Sequence, residues 1–393
     1  MKNILISSFD MEIGGVERSL ISMLNNFDYE NYNVDLMLYS HTGDFMKLLP
    51  DKPNLLKEDK AYKTFRMSIK DVFKSRKIGI GLARIIAKIN ANSKSKSESG
   101  YIQMQYMWKY SLPFLPNSNK EYDVAISYLW PHYYVAEKVK AKIKIAWIHT
   151  DYSNIHTNIE LDLDMWNKFD YIISISEKVT EAFISKYHSL KDKIIEIENI
   201  TSPEFIKEMS NKEQTEIISS NEFFNIVSVG RLSYAKGFDN AIKALKILNE
   251  KGVKNIKWYL IGYGGEENML KNLIKENNLE ENFILLGKKM NPYPYIKACD
   301  LYVQPSRYEG KAVTVGEAQI LGKPVMITNY TTAKSQLTEG GDGVICDLSI
   351  DGIADGIEEL YKNVKLREKI ANNCRNIEYG NTYELNNLYK LFR

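Results

Sequence analysis

The residues best suited to chemistry lie in two clusters of the C-terminal half. In the first, Val229-Gly230-Arg231-Leu232-Ser233-Tyr234-Ala235-Lys236-Gly237, two cations stand beside glycines where an apolar run gives way to a helical pattern. Fixed cations at a strand's carboxyl end and in the loop after it suit a diphosphate. A solvated basic loop would show the same spacing. In the second, Ser306-Arg307-Tyr308-Glu309-Gly310-Lys311-Ala312-Val313-Thr314-Val315-Gly316-Glu317, Glu309 ends a loop and Glu317 falls on a helix that Gly322 and Pro324 terminate. The amides of Gly310, Lys311, Ala312 and Val313 lie at that helix's N-terminus and form a natural anion site. A step of eight residues rotates the chain by about 800° on a continuous helix, some 80° beyond whole turns, so one shared helical face explains the glutamates poorly. A loop carboxylate and a helix carboxylate flanking a phosphate-binding turn can grip the two ends of a sugar nucleotide. The alternative is a capping residue plus a surface helix residue.

Two further candidates sit in the N-terminal half. His149 follows the apolar run Lys144 to Ile148. At a strand's end it is either a satisfied core or turn histidine or a site residue. Asp162-Leu163-Asp164 has the form of a D-x-D metal motif, but it stands beside Glu160 in an acidic segment and reads as a solvated turn or helix start. No metal is assigned.

The elements that must position these residues alternate. Asn3 to Phe9 reads as a buried strand, and Gly14-Gly15-Val16-Glu17 then opens a helix carrying Leu20, Ile21, Met23, Leu24 and Phe27. This is half of a βαβ unit. Strands are predicted at 32–39, 122–129, 144–148, 171–176 and 194–197, with helical patterns such as Glu177 to Tyr187 between them. The stretch 201–221 turns polar and reads as a linker. A second alternation starts at 223–229, runs through a helix from Asn240 to Asn249, and continues with strands at 257–261, 283–286, 301–304, 324–328 and 343–346. The fold class is therefore α/β, two Rossmann-like domains facing a cleft that holds the ligands.

Composition agrees. At about 150 residues per domain, 393 residues make two. Hydrophobic and charged fractions of 44% and 26% exclude a disordered or collagen-like chain. Cys299, Cys346 and Cys374 include no C-x-x-C pair, which gives neither a zinc site nor a disulfide framework and fits a reducing compartment. The longest stretch free of charged residues, Val124 to Ala136, is too short to span a bilayer and contains Pro131 and His132. The N-terminus has too short an apolar run for a signal peptide. A cytoplasmic protein is expected.

The net charge of +2 is unevenly distributed. Residues 57–98 hold twelve Lys or Arg against four Asp or Glu, which is +8, so the rest sums to −6. Between Lys57 and Phe114, cations such as Lys70, Lys74, Arg76, Lys77, Arg84 and Lys88 interleave with Phe65, Phe73, Ile78, Ile80, Leu82, Ile85 and Ile86. Tyr106, Trp108, Tyr110 and Phe114 follow. That mixture suits an anionic membrane surface, or equally a charged helix packed on the core. Nucleic acid is a poorer match, because no RNA-binding motif accompanies the basic stretch.

Arg231 with Lys236, followed by Glu309 and Glu317 in an E-x7-E arrangement ahead of Gly322-Lys323-Pro324-Val325, resembles the nucleotide-sugar half of retaining GT-B glycosyltransferases of family 4. Gly14-Gly15-Val16-Glu17 looks like their N-terminal glycine loop, and Trp147-Ile148-His149-Thr150 like a further short motif. The resemblance covers residues 224 to 350 strongly and the N-terminal half through these motifs alone. It implies that Lys236 and Arg231 neutralise the leaving diphosphate, Glu309 contacts donor-sugar hydroxyls and Glu317 contacts the ribose. It also implies that Gly15 admits the donor phosphates, that His149 lies beside the transferred sugar, and that the Gly287-Lys288-Lys289-Met290 stretch reads the base through its main chain. Relatives commonly carry an E-G-F-G-type sequence where this chain has Glu309-Gly310-Lys311-Ala312, which keeps the amides but adds a cation at Lys311 and limits the backbone at Ala312.

On this reading residues 1–200 form an acceptor-binding domain with the basic and aromatic insertion at about 57–114. Residues 201–221 are the linker, 222–375 the nucleotide-sugar domain and 376–393 a C-terminal helical tail. The expected function is a metal-independent, cofactor-free transfer of a hexose or N-acetylhexosamine from a nucleotide diphosphate sugar, with UDP favoured. The acceptor is a glycan or lipid-linked acceptor in cell-surface polysaccharide synthesis, peripheral to the inner face of the membrane if the insertion binds it. A GT-B enzyme that processes sugar phosphates and an inactive nucleotide-sugar-binding scaffold are the rivals.

Overall fold

The computed structural model of the chain describes residues 1–94, 100–213, 215, 217 and 222–393. They divide into two compact units, Met1–Thr201 with Asn381–Arg393, and Ser202–Gly380.

In the first unit the strands are β1 (Lys2–Ser8), β2 (Tyr32–Leu38), β3 (Asn54–Leu55), β4 (Tyr122–Ser127), β5 (Ala141–Ile148), β6 (Tyr171–Ser174) and β7 (Ile194–Glu196). They form one parallel sheet in the order β3-β2-β1-β4-β5-β6-β7. Its helices are α1 (Gly15–Asn26), α2 (Ile69–Lys74), α3 (Ile78–Lys94), α4 (Gly100–Ser111), α5 (Tyr133–Lys138), α6 (Ile159–Trp166) and α7 (Glu177–Lys186). Consecutive buried residues such as Ile4, Leu5 and Ile6 are what a parallel sheet covered on both faces requires, and each parallel return needs a crossover.

The second unit repeats the scheme. Helix α8 (Pro203–Met209) precedes β8 (Phe224–Val229), α9 (Phe238–Glu250), β9 (Ile256–Ile261), α10 (Glu267–Glu276), β10 (Phe283–Gly287), α11 (Tyr293–Ala298), β11 (Leu301–Gln304) and α12 (Val313–Ile320). Then come β12 (Val325–Thr328), α13 (Ala333–Gln336), β13 (Val344–Cys346), α14 (Ile350–Lys362) and α15 (Val364–Asn376). The sheet order is β10-β9-β8-β11-β12-β13, all parallel. In each sheet the strand order reverses beside the first strand, between β1 and β4 and between β8 and β11, and ligands bind open α/β sheets outside the carboxyl ends at such a point.

Several expectations change. The predicted linker opens on a helix: the Ser202 hydroxyl caps α8 at the Phe205 amide, and α8 packs on α11 and α12. Residues 214, 216 and 218–221 of that stretch lie outside the described residues. The C-terminal tail does not stand apart, because its last helix, α16 (Glu384–Lys390), belongs to the first unit. Tyr389 stacks on Tyr32 at 5.1 Å, and its hydroxyl accepts a hydrogen bond from the Asp28 amide at 2.8 Å. Within the aromatic cluster of the insertion, Tyr106 and Trp108 turn inward while Phe114 stays exposed. Trp108 is fully buried, its ring stacked 4.1 Å from that of Phe65, and Tyr106 is buried too, because rings of this size contribute most when removed from water entirely. Residues 95–99 of the insertion lie outside the described residues.

The D-x-D stretch is also corrected. It lies in the first turns of α6, but Asp162 is buried rather than solvated and accepts a hydrogen bond from the Tyr187 hydroxyl. Burial pushes its carboxyl up to about 6, against the pull of Tyr187. Between the ordinary value near 3.8 and that figure, the folded chain keeps a proton the unfolded chain has lost, so this group's contribution to stability falls as pH rises through that window. Asp162→Asn should remove the effect. The unfolding free energy of the variant relative to the parent should rise by about 1.4 kcal/mol per pH unit between about pH 4 and 6 and level off above, measured by urea titration across that range. Parallel pH curves for the two proteins would refute the assignment.

Candidate functional site

At the switch point of the second unit, two loops are bound to each other. Gly237, which joins the loop after β8 to α9, sits at φ +65°, and a Cβ there would stand 2.1 Å from the Pro305 carbonyl oxygen in the loop after β11. Only glycine allows both the conformation and the approach. The Arg307 amide donates to the Ala235 carbonyl at 2.8 Å. Its guanidinium forks onto the Asp239 carboxylate at 2.8 and 2.7 Å, donates to the Tyr234 carbonyl at 2.8 Å and lies 4.1 Å from the centre of the Tyr234 ring. Burial alone would raise the Asp239 pKa, but Arg307 outweighs it and holds the carboxyl below its ordinary value. Neither Arg307 nor Asp239 was singled out from sequence, because 68 positions separate them.

Inside this frame Lys236 Nζ lies 2.5 Å from Glu309 Oε1. The same oxygen accepts from Ser306 Oγ at 2.6 Å and from Gln304 Nε2 at 3.3 Å, while the Glu309 carbonyl accepts from Thr332 Oγ1 at 2.9 Å. Three donors on one oxygen fix the carboxylate and leave Oε2 without a partner among the described residues. The structure therefore brings together two residues to which the sequence gave separate duties. Arg231, at the start of the same loop, is exposed.

The other expected residues are placed differently. Ala312 is the N-cap of α12, and Gln336 binds both its groups, with Oε1 accepting from the Ala312 amide at 3.2 Å and Nε2 donating to its carbonyl at 2.6 Å. That amide is thus already engaged. Gly310, Lys311 and Val313 are exposed, and a Cβ at Gly310 would meet nothing within 4 Å. Glu317 is not a surface helix residue: it is buried and accepts a hydrogen bond from the Tyr293 hydroxyl of α11 at 2.9 Å. Met290 is half-buried in the loop after β10. Ser306 carried a local signal, three residues ahead of Glu309, whereas Gln304, Gln336 and Tyr293 carried none.

The first unit holds its own group at the carboxyl ends of β1, β4 and β5. Gly15 opens α1, and a Cβ there would meet nothing within 4 Å; at Gly14 it would stand 2.2 Å from Glu17 Oε2. Burial pushes the Glu17 carboxyl up to about 7. Ser19 Oγ of α1 lies 2.7 Å from the Tyr128 hydroxyl, and the Tyr128 ring is 4.7 Å from that of His149. Both ring nitrogens of His149 are buried, and neither makes a well-formed hydrogen bond. Burial drives its pKa down to about 3 although the Tyr128 backbone and the Asn199 side chain lie close enough to pull it up, so the imidazole is neutral. His132, which sequence reasoning passed over, is likewise pushed down to about 3, with Nδ1 2.8 Å from Ser127 Oγ. Among the described residues no group of three His, Cys, Asp or Glu side chains is placed to hold a metal ion.

Residues 210–377 match the family described as Glycosyl transferases group 1. An uncharacterised glycosyltransferase of Methanocaldococcus jannaschii is 31% identical over 172 residues, which are 43% of this chain and 42% of the relative. The capsular polysaccharide biosynthesis glycosyltransferase CapM of Staphylococcus aureus is 29% identical over 220 residues, 52% of this chain and 55% of the relative. The chain thus spans about half the length of these curated relatives. Among solved structures, that of Anabaena HepE in complex with UDP superposes with a TM-score of 0.63 at 17% identity, covering 99% of this chain and 98% of that one. The chain has two parallel-sheet Rossmann-like units matching GT-B structures, and the stretch that matches the Glycosyl transferases group 1 family lies within the second of them.

Proposed function

We propose that the chain is a retaining glycosyltransferase that moves a hexose or N-acetylhexosamine from a nucleotide diphosphate sugar, with UDP as the favoured nucleotide, to a glycan or lipid-linked acceptor in cell-surface polysaccharide synthesis. The observation that carries this reading is the bound pair of loops after β8 and β11, with Lys236 on Glu309 and an exposed Arg231 beside them. The group 1 match of residues 210–377, the capsular polysaccharide biosynthesis of the Staphylococcus relative and the UDP bound by the Anabaena protein support it.

In this mechanism Lys236 exchanges the Glu309 carboxylate for the donor diphosphate, joined by Arg231 and by the amides at the start of α12 that have no helical partner. Glu309 Oε2 accepts from donor-sugar hydroxyls, and Glu317, steadied by Tyr293, accepts from the ribose. Met290 and its neighbours read the base through the main chain, and Gly15 gives the donor phosphates room. The neutral His149 hydrogen-bonds the transferred sugar. The acceptor oxygen attacks the anomeric carbon on the face the diphosphate leaves. The bond from that carbon to the phosphate oxygen breaks, the bond to the acceptor oxygen forms, and the acceptor's proton passes to the departing phosphate. Charge grows on the phosphate in the transition state, where preorganised cations and amides act most strongly.

Glu309→Gln and Lys236→Ala should each lower transfer by about 100-fold, or about 3 kcal/mol of transition-state stabilisation, in protein that still melts cooperatively. Nucleotide release from a panel of nucleotide sugars, with and without acceptor, is the assay. Near-normal turnover in either variant would refute the site, and donor binding without turnover in the parent would favour the scaffold.

Transfer should also persist in EDTA, because protein cations stand where a divalent ion would otherwise neutralise the diphosphate. Loss of activity restored by magnesium or manganese would overturn this part of the mechanism.

A further inference from the structure

Helix α3 carries five of its six large apolar side chains on the side that faces solvent. Ile80, Ala83, Ala87 and Ala91 are buried, whereas Ile78, Leu82, Ile85, Ile86 and Ile89 are 59%, 51%, 38%, 48% and 62% exposed. At about 100° per residue those five fall within an arc of about 100°, opposite the buried set. Phe114, 53% exposed, extends the patch, its ring lying where a Cβ on Gly79 would come within 2.6 Å. A solvent-facing helix surface is ordinarily polar, and a contiguous exposed apolar patch marks a surface that meets a partner.

The charge around the patch says which partner. Lys88 on α3 and Lys70, Lys74 and Arg76 at α2 are exposed, and the Phe73 ring of α2 packs where a Cβ on Gly81 would come within 2.8 Å. Arg76, at φ +61°, follows the Ser75 C-cap of α2 and lies two residues before the start of α3. These cations belong to a stretch of twelve Lys or Arg and four Asp or Glu over residues 57–98. A second copy of the chain on this face would bring two such stretches together, whereas an anionic lipid surface offers apolar depth and opposite charge at once.

We infer that the outer face of α3 inserts into the interface of an anionic bilayer, with the helix lying in the membrane plane. Among the described residues no helix is long and apolar enough to cross a membrane, so the contact is interfacial. The inference rests on α3 and its neighbours alone and stands or falls separately from the transfer reaction.

The test uses the full chain with vesicles of phosphatidylcholine alone and of phosphatidylcholine mixed with phosphatidylglycerol. The protein should sediment with the mixed vesicles at low salt, less as salt rises, and little with phosphatidylcholine alone. The pair Ile86→Glu and Ile89→Glu should weaken that binding by at least about tenfold without lowering the melting temperature, since both side chains already face water. The triple change Lys70→Glu, Lys74→Glu and Arg76→Glu should weaken it independently, and a tryptophan placed by Leu82→Trp should shift its emission to shorter wavelength on the mixed vesicles only. Three outcomes overturn the proposal: no sedimentation with mixed vesicles at low salt, unchanged binding in the Ile86 and Ile89 variant, or a dimer in solution that the same variant splits.

Discussion

The approach of Gly237 to the Pro305 carbonyl is the constraint on which the second unit's site depends. It brings the loops after β8 and β11 together at the backbone, and the Arg307 fork on Asp239 then holds them there. Within that frame Lys236 reaches Glu309. An ion pair largely shielded from water gains little net stability, because desolvation offsets the attraction. What the contact does instead is position. It holds the Lys236 ammonium and the Glu309 carboxylate in one place between the two loops.

The first unit stores polar groups in a different form. His149 is kept neutral by burial, its pKa pushed down to about 3 even with the Tyr128 backbone and the Asn199 side chain beside it. Glu17, raised to about 7, and Asp162, raised to about 6, share the same cause, a carboxyl removed from water with too few donors to compensate. Asp162 is nevertheless a packing residue of α6, tied to Tyr187.

Sequence periodicity carried most of the architecture, because buried parallel strands write themselves as apolar runs. Twelve of the thirteen strands lie where those runs are, and β3 was missed because two residues at a sheet edge leave no pattern. Glycine turns and E-x7-E spacing located Lys236 and Glu309, but not that they touch, because that depends on two loops 73 residues apart meeting in space. Composition misled in three places. Polar residues concealed α8, since Ser202-Pro203 is a helix start as much as a linker. Asp162 looked solvated, and aromatic residues near cations looked interfacial although Trp108 is core. In the insertion, helical spacing was informative but its direction was not, since nothing in the residues 78–89 says which face the rest of the chain covers.

The most direct test of the account is titration calorimetry of UDP into the parent protein, Glu309→Gln and Lys236→Ala. If Glu309 holds Lys236 in reserve for the diphosphate, removing the carboxylate's charge frees the cation, so Glu309→Gln should bind UDP at least as tightly as the parent while Lys236→Ala binds more weakly. A loss of UDP affinity in Glu309→Gln as large as that in Lys236→Ala would contradict the account, because it would make the pair a structural brace and not a cation waiting for phosphate.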